Sequence, residues 1–364
     1  MFVDLHAYGC QVFLDIHEMH DGPSGQLARL AERLGGAGVA SVAAALREMQ
    51  LAPLHAAVRG LARTGEGGAL ARLTEIGAAR AEAACRKPGR GRKKAAAGAG
   101  AAAGAALRPA APAASTAAAT PEEIETLLAG STAAVERMLR TLVEVAGGTG
   151  DVAAATAKFR LGAEAALMLP GLPGVPGVTR LCAGLTDRAT WVALFGRLAG
   201  EAIAAVADPD GSSGGFAVDE LQLGPVLANV FRDLGQDEAA AWRLVALIRL
   251  LRALPLPSSV ATLPAADRAP ALVRALVADE AVRPYIRVNV WEGVSWFHRE
   301  SFDQLLWWML ALDALGAAED RTLSAAKTAA RLTEAARLTS ILGRAGEASG
   351  YQLDKLEGAA AAAG

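Results

Sequence analysis

The chain has 364 residues, a formal net charge of −2, a hydrophobic fraction of 52% and an aromatic fraction of only 5%. This length is sufficient for two or three domains, and the nearly balanced charge excludes a general attraction to nucleic acid or anionic membranes. Alanine supplies much of the hydrophobic fraction, and it favours helix while burying little area per residue. We therefore predict a mainly α fold made of helical bundle domains.

The first 20 residues differ in pattern from the rest of the chain. FVDLHA (2–7) and CQVFLDI (10–16) flank Tyr8-Gly9 and contain β-prone Val, Phe and Ile, which predicts two strands. We interpret residues 1–20 as the terminal strands of an incomplete β-sandwich, present here as a short N-terminal β-hairpin. Because an isolated hairpin is marginal in water, we expect an upstream portion to supply the rest of the sheet.

Residues 21–87 have a helical period and are predicted to form a small helical subdomain. Leu, Val, Ile and Ala recur at spacings of three and four residues, and Gly35-Gly36 and Pro53 are expected to stop helices. The predicted helices lie near 26–34, 39–51, 53–62 and 69–84.

Residues 88–119 are predicted to be a disordered linker. RKPGRGRKK (86–94) contains six basic residues and no acid, and it leads into a run of Ala, Gly and Pro. Such side chains cannot repay the entropy of ordering, so a basic and Ala/Gly/Pro-rich tether is expected. Contact with an acidic partner is an alternative, but nucleic acid is not expected because no aromatic stacking residues accompany the charges.

Residues 120–350 are predicted to form a helical bundle domain, followed by an Ala-rich tail at 351–364. Thr120-Pro121-Glu122-Glu123 combines an N-cap, a proline at the first helical position and a glutamate three residues after the cap. The segment 236–254 is apolar on most faces and is expected at the centre of the bundle. Helices are predicted near 121–146, 151–168, 180–206, 217–233, 236–254, 265–280, 301–316 and 319–345.

The cysteines and the N-terminus favour a reducing compartment. Cys10, Cys85 and Cys182 are far apart and form no CxxC pair, so neither a disulfide framework nor a zinc site is indicated. His17 and His20 of HEMHD, together with His6, imply no fourth metal ligand, and we expect no metal or cofactor. A signal peptide and an apolar run of about 18 residues are not evident, which predicts a cytoplasmic chain without a membrane span.

An aromatic block at 289–310 contains four of the six tryptophans. Ser301 and Gln304 resemble a capping box, which predicts a helix that begins near Phe302. Apolar residues then recur at helical spacing and predict a buried stripe, with Trp307 and Trp308 also expected in the core. The stripe consists of Phe302, Leu305, Leu306, Met309 and Leu310.

The preceding segment, 288–300, mixes aromatic and polar residues in what we interpret as a non-helical loop. Such residues can stack on sugar rings and bind hydroxyl groups, but they also cap helix ends, and both interpretations remain open at this point. Glu292 and Glu300 could act as an acid–base pair only if the fold brings them within about 5–9 Å. No catalytic residue is assigned; the candidate ligand-binding residues are Asn289, Trp291, Glu292, Trp296 and His298.

Three segments carry a family resemblance. VDLHAYGCQVFLDIHEMHD (3–21) resembles the end of the C-terminal β-sandwich of α-amylase-superfamily enzymes. The segments 29–61 and 286–310 resemble the helical extension of large bacterial members of that superfamily. The linker and most of 121–280 are not covered by the resemblance.

The resemblance implies a parent glycoside hydrolase that is active on α-glucans, with retaining chemistry performed by a catalytic barrel. KFRLGAEAA (158–166) has Gly162 where the family's nucleophile motif has aspartate, so no catalytic role transfers to it. The expected function is that of a C-terminal, non-catalytic helical accessory region in carbohydrate metabolism. Its expected partners are an amylase-type catalytic domain, in cis or from an adjacent gene, and α-glucan. The alternative is a free-standing helical protein-interaction module with a basic linker.

Overall fold

The computed structural model describes residues 18–61, 68–86, 119–172, 179–210, 217–233 and 236–364. The fold is mainly helical, as predicted, and its described part contains one two-stranded antiparallel sheet. The predicted strands at 2–7 and 10–16 lie outside the described residues, as does the predicted linker except for its last residue. The chain divides into two compact units, Met1–Ala52 and Pro53–Gly364, and this boundary lies within the predicted subdomain 21–87.

The helices follow the apolar spacing of the sequence. Short 3-10 helices lie between them at Leu169–Gly171 and Pro257–Val260. The α-helices are α1 (Gln26–Leu34), α2 (Val42–Leu61), α3 (Ala69–Arg86), α4 (Pro121–Ala146), α5 (Val152–Met168), α6 (Thr179–Gly184), α7 (Arg188–Ala207), α8 (Ala217–Glu220), α9 (Leu223–Asp233), α10 (Glu238–Ala253), α11 (Ala265–Ala278), α12 (Val282–Tyr285), α13 (Arg299–Glu319), α14 (Ala325–Ala348) and α15 (Leu353–Ala363).

In the first unit, Asp21 holds the beginning of α1. Its two carboxylate oxygens accept hydrogen bonds from the backbone N–H groups of Leu27 (3.1 Å) and Ala28 (2.9 Å). These bonds satisfy donors that the first turn of a helix leaves free, and they lower the pKa of Asp21. The helix ends as predicted at the glycine pair, where Gly35 adopts a φ of 53°.

In the second unit, α7 packs against α3, α4, α5 and α10. By length and composition α7 is a candidate membrane span among the described helices, but 56% of its most apolar window is buried inside the protein. The burial of Trp191, Leu194 and Leu198 on this helix accounts for its apolar composition. Within the described residues, α7 therefore occupies the central position that the sequence analysis gave to 236–254.

The C-terminal part of the second unit is built on α13. This helix packs against α14 and α5, while α15 packs against α11 and α14. The predicted stripe from Phe302 to Leu310 is buried, and each of its five residues is 6% exposed or less. Trp308 is 2% exposed, whereas Trp307 is half-buried and its indole N–H donates to the carbonyl of Arg180 at 3.1 Å. The assignment to the core is confirmed for Phe302 and Trp308 but not for Trp307.

Several helix boundaries differ from the prediction, and α14 begins at Ala325 rather than near 319. Pro53 does not stop a helix but lies inside α2, because a proline removes one hydrogen bond without ending a helix that its neighbours support. The segments 180–206 and 217–233 are each two helices rather than one. The second of these breaks at Gln222, which adopts a φ of 51°. The predicted cap of α4 is confirmed, since the Thr120 hydroxyl accepts from the N–H of Glu123 at 3.1 Å.

Candidate functional site

The polar-aromatic segment that precedes α13 forms a β-hairpin. Strands β1 (Asn289–Trp291) and β2 (Val294–Trp296) pair antiparallel, with Asn289 opposite Trp296 and Trp291 opposite Val294. Glu292 and Gly293 form the two-residue turn, with φ values of 50° and 78°. Positive φ at both positions is the signature of a turn whose twist matches paired strands. The segment is therefore non-helical, as the sequence indicated, but its residues 289–296 form a β-hairpin rather than a loop.

The register places the candidate aromatic residues on one face of the hairpin. Residues that pair or alternate along the strands share a face, so Asn289, Trp291, Val294 and Trp296 lie together. Trp291 is 67% exposed and Asn289 is also exposed, whereas Trp296 is half-buried. The exposed part of this face is thus a tryptophan ring with a carboxamide at its side.

The opposite face presents Val290, which is 68% exposed. Both faces of β1 are accordingly open to solvent, and the strand is exposed along its whole length. Val290 and Trp291 are thus two exposed large apolar residues on opposite faces of the hairpin.

The base of the hairpin is fixed to the helices by backbone hydrogen bonds. The N–H of Phe297 donates to the carbonyl of Tyr351 (3.0 Å), and the N–H of His298 donates to that of Ile286 (2.8 Å). Trp296 also forms a β-bridge with Gln352. These bonds hold both ends of the hairpin, so its exposed tip projects from a fixed base.

Aromatic packing below the hairpin adds to this anchoring. Phe297 is 5% exposed and its ring centroid lies 4.9 Å from that of Phe302 and 5.7 Å from that of Tyr351. Arg299 lies over the Tyr351 ring at 5.9 Å, a cation–π geometry. Tyr351 adopts a φ of 61° at the turn before α15. The hairpin is therefore supported by a small aromatic cluster that joins α13 to the C-terminal turn.

His298 lies at the start of α13 and not in the aromatic face. Its Nε2 is 3.1 Å from a carboxylate oxygen of Glu300, and its Nδ1 is 3.1 Å from the hydroxyl oxygen of Ser301. The predicted capping box of Ser301 and Gln304 is wrong, because α13 begins at Arg299 with His298 at the N-cap position. The mixed polar residues before the core stripe are thus the first turn of a helix that begins earlier than predicted.

The two glutamates of the segment have different surroundings. Glu292 lies at the exposed tip of the hairpin, whereas Glu300 pairs with His298. An acid–base pair in a glycosidase requires two carboxyl groups that face one bond, and the contacts of Glu300 direct it to the helix start instead. Within the described ranges, no group of three or more His, Cys, Asp or Glu side chains is arranged to hold a metal.

The structure thus brings Asn289, Trp291 and Trp296 together and separates His298 from them. The supporting residues Tyr351 and Gln352 were not predictable from the sequence, since they lie more than 50 positions downstream and no local pattern connects them to the hairpin. Comparison of the chain with protein-family models, with curated proteins and with solved structures found no match. The observations therefore define the chain by its architecture, as a mainly helical protein with an exposed aromatic hairpin.

Proposed function

We propose that this chain is a non-catalytic helical accessory region of an α-amylase-like protein and that it contacts α-glucan through the hairpin 289–296. The observation that carries the proposal is the exposure of Trp291 on a hairpin whose base is fixed to the helical core. An indole of this kind provides a flat apolar surface for a sugar ring, and it costs little conformational entropy because the base is already ordered.

The neighbouring polar group suits the same ligand. Asn289 lies on the face of Trp291 and carries both a hydrogen-bond donor and an acceptor, which match the hydroxyl groups of glucose. Trp296 extends the aromatic surface towards the base of the hairpin. The site is open and shallow, so the expected affinity is modest and additive along a glucan chain rather than tight for a single sugar.

Glucan binding is tested by titrating the full chain with maltoheptaose while recording the indole N–H resonances of the tryptophans. A change confined to Trp291 and Trp296 is the expected result, and Trp291→Ala should weaken binding at least about tenfold. Trp242 provides the matched control, because it is 42% exposed on α10 and its indole donates to Glu238. Unchanged Trp291 and Trp296 resonances at millimolar maltoheptaose would contradict the glucan role.

The relation to an amylase-type catalytic domain has a separate test. The coding sequence upstream of Met1 and the adjacent genes are expected to encode a catalytic barrel. A stop codon directly before Met1 together with the lack of an adjacent barrel gene would reject the accessory role. Glucan binding by the hairpin would remain measurable in that case, so the two parts of the proposal fail independently.

The exposure of Val290 favours a second candidate, a helical protein-interaction module. A glucan is expected to use the Trp291 face, whereas a protein partner would contact both faces of β1. Capture experiments with the native chain, with Val290→Thr and with a chain lacking residues 86–94 distinguish the two roles. If neither change alters the set of captured proteins, the interaction module is rejected.

A further inference from the structure

Two adjoining cavities in the second unit differ sharply in character. The first has a volume of about 240 Å³, and its wall contains side chains from α7, α9 and α10. Phe195, Ile203, Leu223, Phe231 and Ile248 in this wall are each 5% exposed or less. An engineered apolar cavity of about 150 Å³ in another protein stays dry and binds benzene. The wall of the first cavity is mostly apolar, with Glu75, Arg188 and Asp233 as its charged residues, so its apolar part is suited to a hydrocarbon group.

Small residues on α7 create this space. Gly196, Ala199 and Gly200 line the cavity. A Cβ atom added at Gly200 would find its nearest neighbour, Cγ2 of Ile248, only at 4.0 Å, whereas one added at Gly196 would lie 2.6 Å from Cδ1 of Ile248. The side chain of Ile248 thus packs closely against Gly196 and leaves space beside Gly200, so the cavity widens along α7 from Gly196 to Gly200.

The second cavity has a volume of about 370 Å³ and is cationic. Arg243 of α10 and Arg287 after α12 are the charged residues of its described lining, which contains no acid. Across the described residues, neither arginine makes an ion pair or a side-chain hydrogen bond, whereas Arg188 of the apolar cavity pairs with Glu75. Both are exposed, so their guanidinium groups are available to an anion.

Further donors surround the two arginines. Ser301, Gln304 and Tyr285 line the same cavity. The hydroxyl oxygen of Tyr285 is buried, which raises the pKa of Tyr285, so the donors that this wall offers to a ligand are Ser301 and Gln304. Arg287 also adopts a φ of 54°, at a position after a helix where glycine is preferred. An arginine in this left-handed backbone conformation is strained. Such strain is expected where the side chain serves a binding site.

The two cavities share the lining residues Ala189, Gln236 and Leu244. From this juxtaposition we propose that they form one binding site for an anionic amphiphile, with an alkyl or isoprenoid chain in the apolar cavity and a phosphate group at Arg243 and Arg287. The lining of the two cavities contains none of Asn289, Trp291 and Trp296, so the proposal does not depend on glucan binding by the hairpin.

The charges favour phosphate over a carboxylate as the head group. A phosphate monoester carries about −1.5 to −2 charges at pH 7, which matches two arginines without a neighbouring acid. A carboxylate would neutralise only one of them. The acids that line the apolar cavity are Glu75, which pairs with Arg188 at 3.4 Å, and Asp233, and neither acid lines the cationic cavity.

The test is a calorimetric titration of the full chain with butyl, hexyl and octyl phosphate, each below its micellar concentration. If the chain enters the apolar cavity, affinity should rise by up to about fourfold for each added methylene, with one ligand bound per protein. Octanol and octanoate test the head group and are expected to bind more weakly than octyl phosphate. Equal affinities for butyl and octyl phosphate, or no saturable binding, would overturn the proposal.

Variants separate the two halves of the site. Arg243→Met and Arg287→Met should each weaken octyl phosphate binding by about tenfold, while Arg283→Met, an exposed arginine outside the cavity, should leave it unchanged. Ala199→Phe should fill the apolar cavity, remove the dependence on chain length and keep or raise the melting temperature. If Ala199→Phe prevents folding, the arginine variants decide alone. Unchanged octyl phosphate binding in both arginine variants would reject the site.

Discussion

Arg331 of α14 donates a hydrogen bond from Nη2 to the carboxylate of Asp313 on α13 at 3.0 Å, and the Asp313 side chain is only 1% exposed. The same guanidinium lies 3.3 Å from the hydroxyl of Ser258, in the 3-10 turn Pro257–Val260. One arginine therefore compensates a buried charge and connects three segments at the centre of the C-terminal helices. A buried carboxylate without such a partner is strongly unfavourable.

Arg331→Met should lower the free energy of unfolding by about 3 kcal/mol, because it leaves the buried Asp313 carboxylate unpaired. The double variant Asp313→Asn with Arg331→Met should recover part of this loss, since the uncompensated charge is then absent. Denaturant unfolding of the three proteins measures both effects. The matched control is Arg140→Met, which removes an exposed pair with Glu136 and should cost less than about 1 kcal/mol. Equal losses for Arg331→Met and Arg140→Met would contradict this role.

Glu334 provides a dependence of stability on pH. Its hydrogen bonds with Arg337 and then with Arg268 lower its pKa from 4.5 to about 2. Because the folded pKa lies below the unfolded one, the stabilisation is present above about pH 4.5 and is lost as pH falls towards 2. Glu334→Gln should therefore lower the free energy of unfolding at pH 7 by about 1–2 kcal/mol, a value reduced by solvent screening of the partly exposed pair.

The measurement for Glu334 is urea unfolding of both proteins between pH 7 and pH 2.5. The difference between native and Glu334→Gln chains should shrink steadily below about pH 4.5. Lys327→Met is a suitable control on the same helix, because the ion pairs of Glu334 are made with Arg268 and Arg337 and not with Lys327. A difference that stays constant down to pH 2.5 would show that the Glu334 variant acts through packing instead.

Gly77 allows close contact between α3 and α7. A Cβ atom at this position would lie 2.6 Å from ring atoms of Trp191, which is fully buried. Gly77→Ala should therefore destabilise the chain by about 1–3 kcal/mol, because neither the indole nor the packed helices can yield easily. Gly60→Ala is the control, since nothing lies within 4 Å of its added Cβ and the gain in helix propensity should stabilise slightly. The melting temperatures of both variants test this prediction. A Gly77→Ala chain as stable as the native chain would contradict the close contact between Gly77 and Trp191.

The helical class of the fold was predictable because apolar spacing and caps are local signals. Thr120, Gly35 and the stripe that begins at Phe302 were each identified from residues within one or two turns. Helix breaks at Gln222 and the passage of α2 through Pro53 were not predictable, since they depend on what packs against those helices. At both positions, packing between helices overrides the local helix propensity of the sequence.

The candidate site was predictable only in composition. Asn289, Trp291 and Trp296 were identified from the sequence. Their common face follows from the strand register, which the mixture of polar and aromatic residues did not indicate. The turn was missed because Glu292 replaces the asparagine or aspartate that usually precedes glycine in such hairpins. The cationic cavity was not predictable for another reason. Arg243 and Arg287 are brought together only by the packing of α10 against α12.

Glu292 occupies a turn position that favours asparagine or glycine, so its replacement should change the stability of the hairpin. Glu292→Asn should stabilise the folded chain by about 0.5–1 kcal/mol, because asparagine tolerates the φ of 50° better than glutamate does. Glu292→Gln keeps the strain and removes only the charge, so it should have little effect. Hydrogen exchange at the amides of Asn289 and Trp296 reports the local change, and slower exchange is expected in Glu292→Asn alone. If both variants instead lose maltoheptaose binding, the Glu292 carboxylate contacts the glucan, and its role is not confined to the turn.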